Sequence, residues 1–258
     1  MQNVKGVNRY LSVGVEAAWV RSYLTDQSYE PGNRKTDVMF SFLDDAGITK
    51  KRKLTACGAE VIKMGIHNEF TWAFLLCNLA YAVPFRWYIE NIPFDRDYDV
   101  AQLELDMEAV TKKARGEFWN GFKVILDSNE LLQQIGFGRP DITAKTDRTG
   151  NVKKKMTFIH RSSWKEPDPR VILYSLYKFA EACGDYYQFT LSMLLDDTIE
   201  RDGISPTRIF GLDRETMVPL LNGLSANYPA FISASFTLGL ETIRLRDDKT
   251  SQDVLAIF

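Results

Sequence analysis

The sequence lacks the cysteine pattern of a disulfide scaffold or of a thiolate metal site. Its 258 residues contain three cysteines, Cys57, Cys77 and Cys183, which lie far apart and form no C-x-x-C pair. Such a set can neither close a disulfide framework nor supply four thiolates to one metal ion. Neither Cys57 nor Cys77 has a zinc-motif spacing to His67. We therefore expect no bound metal and a reducing, cytoplasmic environment.

Long apolar runs are also absent. The most apolar segment, residues 70–85, contains Asn78 and Pro84, whereas a membrane-spanning helix needs about 20 apolar residues. The first six residues, MQNVKG, lack the apolar core of a signal peptide. We expect a soluble protein with no membrane partner.

The motifs of common active sites are absent as well. There is no phosphate-binding loop of the form G-x-x-x-x-G-K-[ST], and Gly136-Phe137-Gly138 lacks the third glycine of a dinucleotide-binding turn. No G-x-S-x-G nucleophile turn occurs, and the two histidines, His67 and His160, are isolated in sequence. The sequence therefore predicts no catalytic residue and no cofactor.

The chain does not have a large excess of charge of either sign. Lys and Arg number 32 against 34 Asp and Glu, which gives a net charge of −2. This balance argues against a protein whose main role is to coat DNA. A nucleic-acid binder of this composition needs a local basic patch.

Two such local basic clusters are present. The first, Lys50, Lys51, Arg52 and Lys53, follows the second predicted helix. The second lies in the polar, turn-rich segment 136–155, which we predict to be an exposed loop or hairpin with residues 147–151 at its tip; its cations are Arg148, Lys153, Lys154 and Lys155. Clustered cations can neutralise neighbouring phosphates in a salt-dependent, sequence-independent manner. A solvated surface without a ligand is the alternative.

Two further charged groups have weaker implications. Lys112, Lys113 and Arg115 are predicted to end a helix, where cations stabilise the helix dipole, so no ligand is assigned to them. The acidic residues near position 200 are Asp196, Asp197, Glu200 and Asp202. Paired carboxylates can hold Mg²⁺, but without a partnering His or Lys motif we favour a solvated helix face.

Helical periodicity dominates the chain and predicts a mainly α fold with winged-helix elements, clearest at the C-terminus. The pattern gives roughly ten helices and two to four short strands, without the alternation of a parallel sheet. We divide the chain into a helix-turn-helix-like unit (residues 1–66), a central helical domain with the basic loop 136–155 (residues 67–165) and a C-terminal winged-helix domain (residues 166–258).

The C-terminal domain has the element order of a winged helix. Ser205-Pro206 opens one helix and Gly211 ends it, and a second helix then runs to residues 227–229. The alternating segments 231–236 and 240–245 predict two strands joined near Gly239. Four arginines of this domain are candidate DNA ligands: Arg208, Arg214, Arg244 and Arg246. The start of the second helix offers few base-reading side chains, so a protein partner explains this domain equally well.

Several segments resemble bacterial phosphoadenosine-phosphosulfate-reductase-like proteins of phage-defence and DNA-modification loci, and the helical domain of unknown function that accompanies them. They are residues 164–177 (WKEPDPRVILYSLY), 203–211 (GISPTRIFG), 221–229 (LNGLSANYP) and 248–255 (DKTSQDVL), together with 54–62 (LTACGAEVI) and 71–79 (TWAFLLCNL). The resemblance extends from about Tyr10 to Phe258. The S-G-G-x-D-S-type loop and cluster cysteines of those reductase-like enzymes are missing, so the resemblance implies an accessory region without the sulfur-transfer site.

Three functions are compatible with these observations. The leading hypothesis is a non-catalytic DNA-binding or adaptor protein of a phage-defence or DNA sulfur-modification system, which positions a partner enzyme. Its expected partners are DNA, a reductase-like or other defence enzyme, and a second copy of the chain. The alternative is a protein-interaction scaffold that does not bind DNA. A weaker alternative is a Mg²⁺-dependent hydrolase or nuclease that uses Asp196, Asp197 and Glu200.

Overall fold

The computed structural model describes residues 5–146, 150–237 and 240–258. About half of the chain is helical, and small sheets accompany the helices, so the fold is mixed α/β rather than the mainly α fold predicted from sequence. The described helices are α1 (Ala17–Thr25), α2 (Arg34–Asp45), α3 (Ala56–Met64), α4 (Glu69–Leu79), α5 (Val83–Asn91), α6 (Val100–Asp106), α7 (Lys112–Asp127), α8 (Glu130–Gln134), α9 (Pro169–Ala182), α10 (Leu191–Leu195), α11 (Pro206–Phe210), α12 (Arg214–Asn227) and α13 (Ser251–Val254).

The strands form three small antiparallel sheets. Their bounds are β1 (Thr49–Lys50), β2 (Lys53–Leu54), β3 (Asp97–Asp99), β4 (Arg139–Thr146), β5 (Val152–His160), β6 (Gln188–Phe189), β7 (Ile232–Thr237) and β8 (Leu240–Leu245). The sheet orders are β1-β2, β3-β5-β4 and β6-β8-β7.

The element order predicted for the C-terminus is present. The Ser205 hydroxyl accepts a hydrogen bond from the Arg208 N–H at the start of α11, and Gly211 ends that helix with φ +66°. Helix α12 and the β7–β8 pair follow, while the turn assigned to Gly239 lies outside the described residues. A third strand, β6, which the sequence analysis did not predict, pairs with β8. The winged-helix class and the division into three domains stay predictions.

Two local features of the remaining chain were not predicted correctly. Lys50–Lys53 form a β-hairpin, an element that the sequence did not indicate after the second predicted helix. Lys112, Lys113 and Arg115 were predicted to end a helix, but Thr111 caps a new helix, α7, by accepting a hydrogen bond from the Ala114 N–H at 3.3 Å. Lys112 and Lys113 therefore begin α7 and do not end a helix, so they oppose the dipole of α7.

The core centres on α4, which is buried nearly all round and packs against α9. The rings of Phe74 and Tyr174 lie 4.4 Å apart, and the Tyr174 hydroxyl donates to the Asn78 side chain at 2.8 Å. Helix α4 has 11 residues. Over the described residues, none of the helices combines the length and apolar character that crossing a bilayer requires.

A fully buried arginine, Arg161, links the ends of two helices. Its Nη1 donates to the carbonyls of Ile89 and Ile92, at 3.2 and 2.7 Å, at the end of α5. Its Nη2 donates to the carbonyls of Arg208 and Ile209, at 3.4 and 3.0 Å, in α11. The last carbonyls of a helix lack donors of their own and carry the negative end of its dipole. Arg161 supplies both the missing donors and a compensating charge.

Replacing Arg161 with Met tests this link. Met keeps most of the side-chain volume but leaves buried carbonyls without donors, at about 1–3 kcal/mol each. We expect Arg161→Met to lower the free energy of unfolding by about 3–5 kcal/mol in urea denaturation. Arg246→Met is the control, because Arg246 is exposed and pairs only with exposed Asp248, and it should have little effect. Equal effects of the two substitutions would contradict the linking role.

Gly136 permits a close contact between the end of α8 and the segment after β5. Its φ is +76°, and a Cβ there would lie 1.9 Å from the Ser162 carbonyl oxygen. We expect Gly136→Ala to lower the free energy of unfolding by about 2–4 kcal/mol. Gly116→Ala in α7 is the control, since a Cβ there meets nothing within 4 Å and should stabilise the helix by about 0.5–1 kcal/mol. Similar stabilities for both variants would show that Gly136 is not required.

Candidate nucleic-acid interface

The first basic cluster forms the basic tip, which we define as residues Lys50, Lys51, Arg52 and Lys53. Lys50 pairs with Lys53 across the β1–β2 ladder, and Lys51 and Arg52 form the two-residue turn with φ of 52° and 63°. Positive φ at both central residues is the signature of a type I′ hairpin turn. All four side chains are exposed. The hairpin therefore presents four consecutive cations at one surface point.

The sequence of the basic tip is unfavourable for folding. Type I′ turns prefer Asn-Gly, because other residues are strained at positive φ, by about 1–2 kcal/mol per residue. Lys51 and Arg52 occupy both of these positions. Lys50 and Lys53 lie directly opposite each other, and like charges in that arrangement destabilise a strand pair. Requirements of the turn therefore do not explain the choice of lysine at positions 50, 51 and 53.

The basic tip is attached to the body through Arg52. Its guanidinium donates to the Asp37 carboxylate at 2.5 Å and lies 5.0 Å from the centre of the Phe40 ring, both on α2. At the base of the hairpin, Thr55 donates its N–H to the Ile48 carbonyl at 3.0 Å. Arg52 is thus partly occupied by internal contacts, and the three lysines carry the charge that faces solvent.

The second basic cluster lies on the β4–β5 hairpin. Its ladder pairs Thr143 with Lys155, Ala144 with Lys154 and Lys145 with Lys153. Lys153, Lys154 and Lys155 are exposed. Arg148 lies outside the described residues. The predicted hairpin is confirmed, and its strands extend beyond the predicted segment, to His160.

Two lysines near this hairpin were missed by the sequence analysis. The Lys123 ammonium on α7 donates to the backbone carbonyl of Lys154 at 2.8 Å. Lys145 pairs with Lys153 in the backbone ladder. Extending the strands symmetrically from a tip at residues 147–151 would have placed Lys145 opposite Lys153. No signal in the local sequence connects Lys123 to the hairpin.

Three of the four C-terminal arginines have carboxylate partners. Arg208 is 3.7 Å from Asp197, Arg214 pairs with Glu241, and Arg246 is 3.4 Å from Asp248. The Arg214–Glu241 hydrogen bond raises the pKa of Arg214 and lowers that of Glu241. The fourth, Arg244, is exposed in the central strand β8. These four positions do not form one cluster comparable to the basic tip.

Helix α12 presents no basic surface, and most of its apolar side chains are covered. After Arg214 it contains no Lys or Arg up to Asn227. Met217, Leu221 and Leu224 are fully buried, Val218 and Leu220 are half-buried and Pro219 is exposed. The helix packs against β7 and α9, so much of the apolar face that the scaffold hypothesis would use is occupied by the protein's own core.

The acidic residues of segment 196–202 are held by local contacts. Asp196 accepts hydrogen bonds from the Thr198 N–H and hydroxyl, at 2.8 and 2.6 Å, which lower the pKa of Asp196. Asp197 faces Arg208, and Glu200 is exposed. Within residues 5–146, 150–237 and 240–258, no three His, Cys, Asp or Glu side chains are grouped so that they could share a metal ion. The convergence that the hydrolase hypothesis requires is not seen there.

Comparisons with known proteins give a likeness of fold. No protein-family model matches the chain, and no curated protein matches it. A structure described as "SspB crystal structure" is similar with a TM-score of 0.61 and 13% identity, over 98% of this chain and 86% of that chain. A second, "Magnesium ion-bound SspB crystal structure", is similar with a TM-score of 0.60 and 12% identity over the same shares. The chain therefore has a fold similar to that of SspB along nearly its whole length.

Proposed function

We propose that the chain is a non-catalytic DNA-binding adaptor of a bacterial phage-defence or DNA sulfur-modification system, and that it positions a partner enzyme on DNA. Two observations support this setting. Segments of the sequence resemble reductase-like proteins of such loci. The fold is similar to that of SspB, a protein of a DNA phosphorothioation system in phage defence.

The main observation in favour of DNA binding is the basic tip. Its four cations occupy a tight hairpin at two strained positions and in one like-charge pair. A phosphate backbone would relieve the repulsion between Lys50 and Lys53, because each ammonium would gain an anionic partner. A structural feature that is costly in the free protein and favourable in a complex is typical of a binding site.

The proposed contact surface is therefore on the hairpins and not on α12. Helix α12 has one cation, Arg214, which pairs with Glu241. The lysines of the basic tip and of the β4–β5 hairpin are exposed. Such contacts reach phosphates and do not read base edges, so we expect binding with little sequence preference and strong salt dependence.

The adaptor role also requires a protein partner. The partner class we propose is a reductase-like or other enzyme of the same system. Copurification of such an enzyme with the chain, in the absence of any DNA affinity, would favour the protein-interaction scaffold.

The double variant Lys50→Thr with Lys51→Asn separates binding from folding. Asn suits the left-handed position 51, and Thr removes the repulsion with Lys53, so the free energy of unfolding should stay equal or rise by up to about 1 kcal/mol. Loss of two phosphate contacts should reduce the slope of log affinity against log salt by about 2. Urea denaturation measures the free energy of unfolding. Filter binding to duplex DNA at salt concentrations from about 25 to about 150 mM, a range over which the Debye length changes strongly, measures the salt slope.

The matched control removes the same charge from another element. Lys112→Gln with Lys113→Gln neutralises two exposed lysines at the start of α7 and should leave the salt slope nearly unchanged. Equal losses in both double variants would indicate general attraction by charge, without a role for the tip. No binding by the unaltered protein at low salt would overturn the DNA-binding proposal.

A further inference from the structure

The β4–β5 hairpin extends beyond the sheet to which it belongs. Strand β3 pairs with β5 only at residues 158–160. Beyond that point, residues 152–155 of β5 pair with residues 143–146 of β4 alone. We call this distal part, residues 143–146 and 150–155, the basic arm.

The described side chains of the basic arm are exposed. Every residue of 143–146 and 150–155 is exposed, apart from Lys145, whose side chain is not described. Side chains alternate between the two faces of a strand, so solvent reaches both faces. An isolated two-stranded hairpin is marginally stable in water. Packing within the protein therefore does not explain the length of the arm.

The β4–β5 hairpin is also strongly basic. From residue 139 to 160 the sequence has six Lys or Arg and two Asp, a net charge of +4, in a chain whose net charge is −2. Strand alternation places Lys153 and Lys155 on one face and Lys154 on the other. Lys123 adds a cation beside the Lys154 backbone. Both faces of the arm therefore carry positive charge.

These dimensions and charges match one kind of polyanion. Sheets pack about 10 Å apart, so one layer with side chains on both faces is about 10 Å thick. The major groove of B-DNA is about 12 Å wide and the minor groove about 6 Å. Phosphates line both walls of the major groove, whereas a single strand offers one backbone. A ribbon with cations on both faces is complementary to two phosphate walls.

We infer that the basic arm inserts into the major groove of duplex DNA, with Lys153 and Lys155 facing one phosphate wall and Lys154 the other. This inference rests on the proposed DNA-binding function and specifies its substrate class as a duplex. The basic tip would then add a separate contact to the phosphate backbone.

A shortened arm tests the inference. Replacing residues 144–154 by Asn-Gly joins Thr143 to Lys155, which already face each other in the ladder, through a type I′ turn. The pairs nearer the body remain. We expect duplex affinity to fall about tenfold or more, and single-strand affinity to change much less, because only the duplex has a groove. Fluorescence anisotropy with a labelled duplex and the matching single strand measures both.

Charge-only variants keep the test valid if the shortened chain does not fold. Lys153→Gln with Lys155→Gln neutralises one face, and Lys154→Gln with Lys123→Gln removes the lysine of the other face together with the cation beside its backbone. Each pair should reduce the duplex salt slope by about 2. Lys112→Gln with Lys113→Gln again serves as the control. Methyl green, a major-groove ligand, should compete with the protein, and netropsin, a minor-groove ligand, should not.

The outcomes distinguish the arm from the proposed function. If the unaltered protein binds no DNA, the proposed function fails and the arm inference fails with it. If it binds duplex DNA but the shortened arm and both charge pairs bind equally well, the arm inference alone is overturned and the basic tip remains the contact. Competition by netropsin instead of methyl green would overturn insertion into the major groove.

Discussion

The buried guanidinium of Arg161 is the contact on which the arrangement of the body depends. It lies 3.9 Å from the centre of the Phe94 ring and has carbonyl groups, not a carboxylate, as its hydrogen-bond acceptors. Burial lowers the pKa of Arg161 to about 10, so it stays charged at neutral pH. Because this pKa is lower in the folded protein than in the unfolded chain, the stability lost through desolvation of the charge would return only as the pH rises above about 10. The dipoles of α5 and α11 offset this cost at neutral pH.

Arg161 also fixes the base of the basic arm. It follows β5 directly, and its own carbonyl accepts the Asp95 N–H at 2.9 Å, just before β3. The same residue therefore holds β5 against α5, α11 and the start of the three-stranded sheet. An arm whose described side chains are exposed keeps a defined direction only if its base is rigid. The buried arginine provides that rigidity, since moving β5 would break hydrogen bonds at two helix ends at once.

Sequence reasoning succeeded where the signal is local. Ser205 and Gly211 mark the ends of α11, and alternation marks β7 and β8. It failed where a turn lacks its usual residues and where the interacting residues lie far apart in the sequence. The β1–β2 hairpin was missed because Lys51-Arg52 stands where Asn-Gly would signal a turn. Arg161 was missed because its acceptors lie 47 to 72 residues away. Of the candidate DNA ligands, Lys153, Lys154 and Lys155 were predicted to be exposed and are so, whereas the partners of Arg208 and Arg214 come from other elements.

The distribution of charge limits how DNA can approach under the proposed function. The basic tip contributes +4 and residues 139–160 contribute +4, so the remainder of a chain with net charge −2 carries −10. An acidic body repels a polyanion at the range of the Debye length, about 8–10 Å, while the hairpins attract it. Repulsion from the body favours approaches that bring a basic hairpin to the DNA and keeps the affinity moderate and sensitive to salt. Such binding suits an adaptor, because the body stays off the DNA and its surface remains accessible to a partner enzyme.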